Sequence, residues 1–293
     1  MTNTLSIMDI KQQKGFAPGT IDIEDHRIHY EMREGSKNPE RTMILCHGAA
    51  STHNTTNVLA GKLAEQRPTD RIILIDAPWH GKSTSEKPLE GQTVYNYAGA
   101  LKRAVEALRA NDTIQGKLSW FGWSMGGSIG MLLDLSDVAI DELILINSSP
   151  VWETLEAVAT QVPPLLDPAT SREVFKGVIV SDMATNTSAA EQEDILNHYD
   201  DLITPGAVIV NDIKALSTSH YDIRDYLHNI DAKTMIYSGS EDQLALVDMQ
   251  KLMDKHIPDS VMHIAKDNHV SLMKDAGADD ITNCFMEVFC ATN

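Results

Sequence analysis

The sequence predicts an α/β fold, a mostly parallel central sheet covered by helices on both faces, with one helical insertion. Three observations carry this. Short apolar runs (Thr42-Met43-Ile44-Leu45-Cys46, Arg71-Ile72-Ile73-Leu74-Ile75, Leu143-Ile144-Leu145-Ile146-Asn147) alternate with segments of helical periodicity. A continuous rather than alternating apolar strand is one covered on both faces. The strand ends fall at His47, Asp76, Ser124 and Asn147, and in such sheets the site lies at the carboxyl ends of the strands.

Taken in order, residues 20–34 alternate around an Asp25-His26 turn and predict a hairpin at a sheet edge. Lys37-Asn38-Pro39-Glu40 breaks it, and the first buried strand then ends at His47-Gly48-Ala49-Ala50-Ser51. A helix over about 57–66 and a second buried strand follow. Across 93–110, apolar Val94, Tyr97, Ala98, Leu101, Val105 and Leu108 recur at three and four, the signature of an amphipathic helix. A strand over 117–120 leads into the Ser124 turn and a helix. From 148 to 230 the pattern changes to short helical pieces, such as 188–199 and 207–216, punctuated by Pro163-Pro164, Pro168 and Pro205-Gly206. This predicts a core of 1–147 with 231–293 and a helical cap of 148–230 over the site. The sheet resumes at Thr234-Met235-Ile236-Tyr237-Ser238, with a helix over 244–256, a strand at 260–265 and a last helix over 280–289.

Composition sets limits. With 42% hydrophobic residues in 293, the chain can bury one large core. Lys plus Arg is 24 against 42 for Asp plus Glu, a formal charge of −18. Such a surface repels phosphate backbones and anionic lipid, which argues against nucleic acid and membrane partners. The opening residues lack the apolar run of a signal peptide, and no segment approaches the roughly 18 apolar residues of a membrane helix. Cys46, Cys284 and Cys290 are odd in number and lack C-x-x-C spacing, so reduced, buried thiols in the cytoplasm are expected. In that compartment the Asn-x-Ser/Thr matches at Asn54, Asn147 and Asn186 carry no consequence.

The chemistry centres on Gly122-Trp123-Ser124-Met125-Gly126-Gly127 between a strand and a helix. Small residues let the backbone turn sharply there and lift Ser124 Oγ off the sheet, with a helix start behind it. A serine hydroxyl is a weak nucleophile near neutral pH; it needs an adjacent base, and the base an orienting acid. Asp242 and His269 each follow a predicted strand downstream, at the same sheet edge as Ser124. Alone, Asp242 reads equally as a helix N-cap before Leu244, and His269 as a surface loop residue. Jointly, and in the order Ser, Asp, His, they predict a triad. Glu241 is the rival acid, and it points away if Asp242 points in. His47 is expected to bond locally and shape its loop. An oxyanion hole needs two N–H donors. Met125 is one, and Ala49, with Ala50 as the alternative, is the other.

These motifs, together with His47-Gly48, Asp76…Gly81-Lys82-Ser83, Gly239-Ser240-Glu241-Asp242 and Asn268-His269, resemble the α/β-hydrolase-fold serine hydrolases with a lid over nearly the whole chain. Trp79 departs from the family, which usually has glycine before His80-Gly81. The elbow, with Ser148-Ser149-Pro150-Val151-Trp152, is similar to carboxylesterases of the pimeloyl-carrier-protein methyl esterase type and to acyl-homoserine lactonases. The resemblance implies a cofactor-free carboxylic ester hydrolase. Lactone hydrolysis, C–C bond hydrolysis, perhydrolysis and a non-turnover receptor are the alternatives. Gly81-Lys82-Ser83-Thr84 is no phosphate loop, because Asp76 stands where glycine is required. No Gly-x-Gly-x-x-Gly follows a strand, and no histidine and carboxylate spacing predicts a metal.

Overall fold

Each apolar run becomes an interior strand of one sheet. The computed structural model describes residues 6–291, and among them the sheet has nine strands: β1 (Ala17–Ile23), β2 (His26–Arg33), β3 (Arg41–Cys46), β4 (Arg71–Ile75), β5 (Thr84–Ser85), β6 (Lys117–Trp123), β7 (Glu142–Ile146), β8 (Lys233–Gly239) and β9 (Ser260–Ala265). Their order is β1-β2-β4-β3-β6-β7-β8-β9, with the two-residue β5 beside β2. The pairings of β2 with β1, β4 and β5 are antiparallel; all those from β4 through β9 are parallel. Residues 1–5, where no signal sequence is expected, lie outside the described residues.

The helices are α1 (Asp9–Gln13), α2 (Asn57–Gln66), α3 (Val94–Ala110), α4 (Met125–Asp134), α5 (Glu153–Gln161), α6 (Ser171–Met183), α7 (Ala189–Asn197), α8 (Tyr199–Leu202), α9 (Gly206–Ala215), α10 (Val247–His256) and α11 (Asp275–Phe285). Helix α3 buries Val94, Tyr97, Ala98, Leu101, Val105 and Leu108, the stripe read from the sequence. Its start is fixed by a capping box in which Asn96 N donates to Thr93 Oγ1 and Thr93 N to Asn96 Oδ1. Between β7 and β8 the chain makes α5 to α9 and adds no strand to the sheet.

Three helices differ from expectation by more than a residue, each for a local reason. Helix α10 starts at Val247, not 244, because Asp242 Oδ1 takes the N–H groups of Leu244 (2.8 Å) and Ala245 (2.9 Å) into a turn. The segment 188–199 divides into α7 and α8 at His198, whose backbone N–H closes the last turn on Asp194 O. The last helix begins at Asp275, five residues early, where an acidic first turn suits the helix dipole, and it ends in a wide turn over Met286–Cys290. All three cysteines are free; Cys46 and Cys284 are buried, while Cys290, in that wide turn, is only half-buried. Among the described residues no helix is long and apolar enough to cross a membrane.

Candidate active site

Strand β6 ends at Trp123 and α4 begins at Met125, so Ser124 makes the whole turn. Its backbone lies at φ 53°, ψ −118°, a left-handed conformation rare for a residue with a side chain. The flanking glycines make this turn close. A Cβ on Gly122 would meet Gly126 O at 2.3 Å, and one on Gly126 would meet Cys46 O at 2.3 Å. Met125 N–H thereby sits in the first turn of α4, among the helix N–H groups that have no intrahelical acceptor.

His269 and Asp242 come together as an acid–base pair. His269 Nδ1–H donates to Asp242 Oδ2 at 2.8 Å, which leaves the Nε2 lone pair free to accept a proton. Asn147 Nδ2 donates to Asn268 O (2.9 Å) and His269 O (3.0 Å), and Asn147 Oδ1 accepts from Gly239 N (2.8 Å). One side chain thus ties both loops to the end of β7. Trp123 Nε1–H adds a bond to His269 O at 2.8 Å. Burial disfavours the imidazolium, but the charge of Asp242 and its hydrogen bond outweigh this and raise the His269 pKa above its ordinary value. Glu241 points elsewhere, accepting from Asn186 Nδ2 at 2.5 Å.

The loop after β3 is set by two histidines in opposite protonation states. His47 Nδ1–H donates to Gly48 O (2.8 Å) while Nε2 accepts from Ala77 N (3.0 Å), which requires a neutral ring. Burial and the neighbouring His80 hold its pKa down to about 4. His80 has acceptors at both nitrogens, Pro78 O and Asp212 Oδ2, each at 2.8 Å. It is therefore an imidazolium, and despite burial the charge and hydrogen bond of Asp212 raise its pKa. Asp212 Oδ2 also accepts Ala50 N–H at 2.7 Å. That bond removes Ala50 as a free donor and leaves Ala49, which lines the pocket beside Ser124. Trp79 lies at φ 65°, which explains the glycine usual in the family; its ring stands edge-on to His26 and its Nε1–H donates to Lys87 O.

Ser124, His269 and Ala49 line one pocket, with Asp242 behind His269 and Met125 buried beneath Ser124. No hydrogen bond joins Ser124 Oγ to His269 among the described residues; such bonds are commonly long until substrate binds. Trp152, Leu155, Phe175, Ile179 and Leu216 of the insertion give the pocket an apolar wall. Sequence reasoning assigned no role to Asn147, Asp212 or Asp182. Their only signal was position at a strand end for Asn147, and none for the other two. Away from the pocket, His29, Glu31 and His53 bring ligand-type atoms within 4.8 Å of one another. Lys82 Nζ near Glu31 and Asp76 on His53 Nδ1 already bind these groups into an ion-paired cluster.

Residues 37–269 match the family described as serine aminopeptidase, S33. The chain belongs to that family of α/β-hydrolases. Solved structures agree on the fold. An esterase from Exiguobacterium antarcticum is 20% identical, with a TM-score of 0.71 over 91% of this chain and 97% of its own. A membrane phospholipase A described as a bacterial virulence factor is 19% identical, with a TM-score of 0.76 over 97% and 90%. An enol-lactonase from Burkholderia xenovorans LB400 is 16% identical, with a TM-score of 0.73 over 92% and 100%. At these identities the likeness establishes the fold alone. No curated protein matches the chain in sequence.

Proposed function

We propose that the protein is a carboxylic ester hydrolase working through an acyl-enzyme. Ser124 attacks the ester carbonyl, and His269 Nε2 takes its proton and returns it to the leaving alcohol. Asp242 holds the ring and stabilises the imidazolium. The N–H groups of Ala49 and Met125 meet the developing oxyanion, each worth on the order of 3 kcal/mol in the transition state. Water then hydrolyses the acyl-enzyme, with His269 again as the base. On this reading 148–230 forms a cap over a core of 1–147 and 231–293, the substrate is a small molecule, and no cofactor takes part. The three free cysteines favour a reducing compartment, the cytoplasm.

The observation that carries this reading is convergence. A strained serine at a helix start and a histidine oriented by a buried carboxylate open into the same apolar pocket. The test is initial rates on p-nitrophenyl esters of increasing acyl length, a methyl ester, acyl-homoserine lactones and an aminoacyl p-nitroanilide, with Ser124→Ala as control. Ester turnover that peaks at one chain length and needs Ser124 is expected. Preference for the lactone or the anilide would reassign the substrate, and a single burst without turnover would make the protein a receptor.

A further inference from the structure

His29 and Glu31 are alternate residues of β2, so the pleat puts both side chains on one face of the strand. The short turn His53–Thr56 after β3 brings His53 against them, its ring centroid 5.2 Å from that of His29. All three residues are buried, and none lines the pocket beside Ser124. Glu31 Oε1 is 3.2 Å from His53 Nε2 and 3.8 Å from His29 Nε2. Ligands bonded at about 2.0–2.2 Å to a tetrahedral ion stand about 3.3–3.6 Å apart, so these separations are close to those around one ion. Asp76 Oδ2 takes His53 Nδ1–H at 2.9 Å, which turns Nε2 toward Glu31, as a carboxylate behind a metal-bound imidazole does. Ion pairs alone already hold most of the group: His53 stands between two carboxylates, and Lys82 Nζ is 3.5 Å from Glu31 Oε1. They leave out one atom. His29 Nε2 is buried, faces Glu31 and has no hydrogen-bond partner among the described residues, a costly state for a polar atom.

We propose that His29 Nε2, Glu31 Oε1 and His53 Nε2 form a binding site for one divalent ion of the zinc class. Two imidazoles and a carboxylate are a donor set that such ions take, whereas Ca²⁺ and Mg²⁺ take oxygens. The two positive charges of the ion balance Glu31 and Asp76 once His53 ligates as a neutral ring. Lys82 is then released, and its largely exposed side chain can turn to water and leave the fourth position to a water molecule. The ion ties β2 to the turn that follows the loop carrying Ala49. Its part is structural, since the site stands outside the pocket beside Ser124. Spacing along the chain does not reveal it, because His53 joins the strand pair only in the fold.

The experiment treats the full-length protein with a chelator, removes the chelator, and titrates Zn²⁺ by calorimetry and Co²⁺ by visible absorption. One equivalent of Zn²⁺ is expected, with a melting temperature that rises with free Zn²⁺. Co²⁺ should show the intense visible bands of a four-coordinate site. His29→Gln should weaken Zn²⁺ by more than about 100-fold, beyond the loss typical of a supporting residue. Its melting temperature without metal should stay close to that of the wild type. Lys82→Met removes the competing cation from an exposed position and should tighten binding several-fold. A wild type that takes up no stoichiometric Zn²⁺ would overturn the proposal. So would a folded His29→Gln that binds as the wild type does. Loss of binding in His263→Gln instead would move the ion to the half-exposed group of His263, Asp280 and Cys284 and overturn it equally. Should His29→Gln fail to fold, Lys82→Met decides, and an unchanged or weaker affinity there sinks the site.

Discussion

His80 Nε2 and Asp212 Oδ2 meet 2.8 Å apart, both fully buried, across 132 residues of sequence. The pair joins α9 of the insertion to the loop after β4, and through Ala50 N–H the same carboxylate oxygen sets the loop that carries Ala49. Tyr97 Oη–H occupies the other oxygen at 2.9 Å. Removing one member of such a pair leaves a buried charge uncompensated, at a cost of about 3–5 kcal/mol. Asp212→Asn should therefore lower the melting temperature. On the proposed mechanism it should also reduce kcat more than it raises KM, because the oxyanion donor is displaced while the apolar wall remains. Unchanged kcat in a folded variant would separate this pair from the oxyanion loop. Since the folded-state pKa of His80 is raised above 6.5, the pair's stabilisation is complete below pH 6.5 and is lost as pH rises through the folded value. A melting-temperature profile against pH checks this sign, with Asp212→Asn flattening the alkaline decline.

On the proposed mechanism, Ser124→Ala should keep the fold and lower kcat by several orders of magnitude, because nucleophile, base and acid would act as a unit. Circular dichroism and initial rates are the measurements. Retention of more than about a tenth of wild-type activity would remove Ser124 from the nucleophile's role.

Much of this arrangement was legible in the sequence, for identifiable reasons. Strands β3, β4 and β7 are buried on both faces and so read as unbroken apolar runs, and α3 displays its buried stripe at helical spacing. The elbow is local, because its glycines and serine must be neighbours for the turn to close. His269 and Asp242 were reachable because strand ends share one edge of a parallel sheet. Asp212 and Asp182 were not, since each lies in a helix with ordinary polar neighbours and acquires meaning only from a partner 87 residues or more away. The His80 charge was hidden for the same reason, since it depends on Asp212 closing over it.

The pH profile follows from the same pair of loops. A base must be neutral to accept a proton, and the His269 pKa is raised above 6.5 by Asp242 against the opposing effect of burial. The acid limb of kcat/KM should therefore have its midpoint above pH 6.5. Asp182 contributes to the same elevation, so Asp182→Asn should move the midpoint to lower pH. A midpoint below 6.5 in the wild type would mean that burial outweighs the carboxylates in setting the His269 pKa.

The loop holding His80 offers the last test. Gly81 lies at φ 52°, and a Cβ there would stand 2.3 Å from both carboxylate oxygens of Asp76. That carboxyl is fully engaged, accepting His53 N (2.8 Å), His53 Nδ1–H (2.9 Å) and Lys82 N (3.0 Å). Burial opposes its ionisation, but His53 prevails and holds its pKa at about 2. Its stabilising contribution is thus present above the unfolded value of 3.8 and is lost as pH falls through about 2. Gly81→Ala must displace Asp76 or the loop, breaking bonds to buried groups at a cost of about 1–3 kcal/mol for each acceptor left unpaired. The left-handed backbone adds strain of its own. Denaturant unfolding of Gly81→Ala should show a lower midpoint with an unchanged slope, and wild-type stability would mean that the Asp76 cluster can shift without penalty. Trp79→Gly is the contrasting substitution. It relieves a left-handed tryptophan but deletes the ring against His26, so its net effect should be smaller than that of Gly81→Ala.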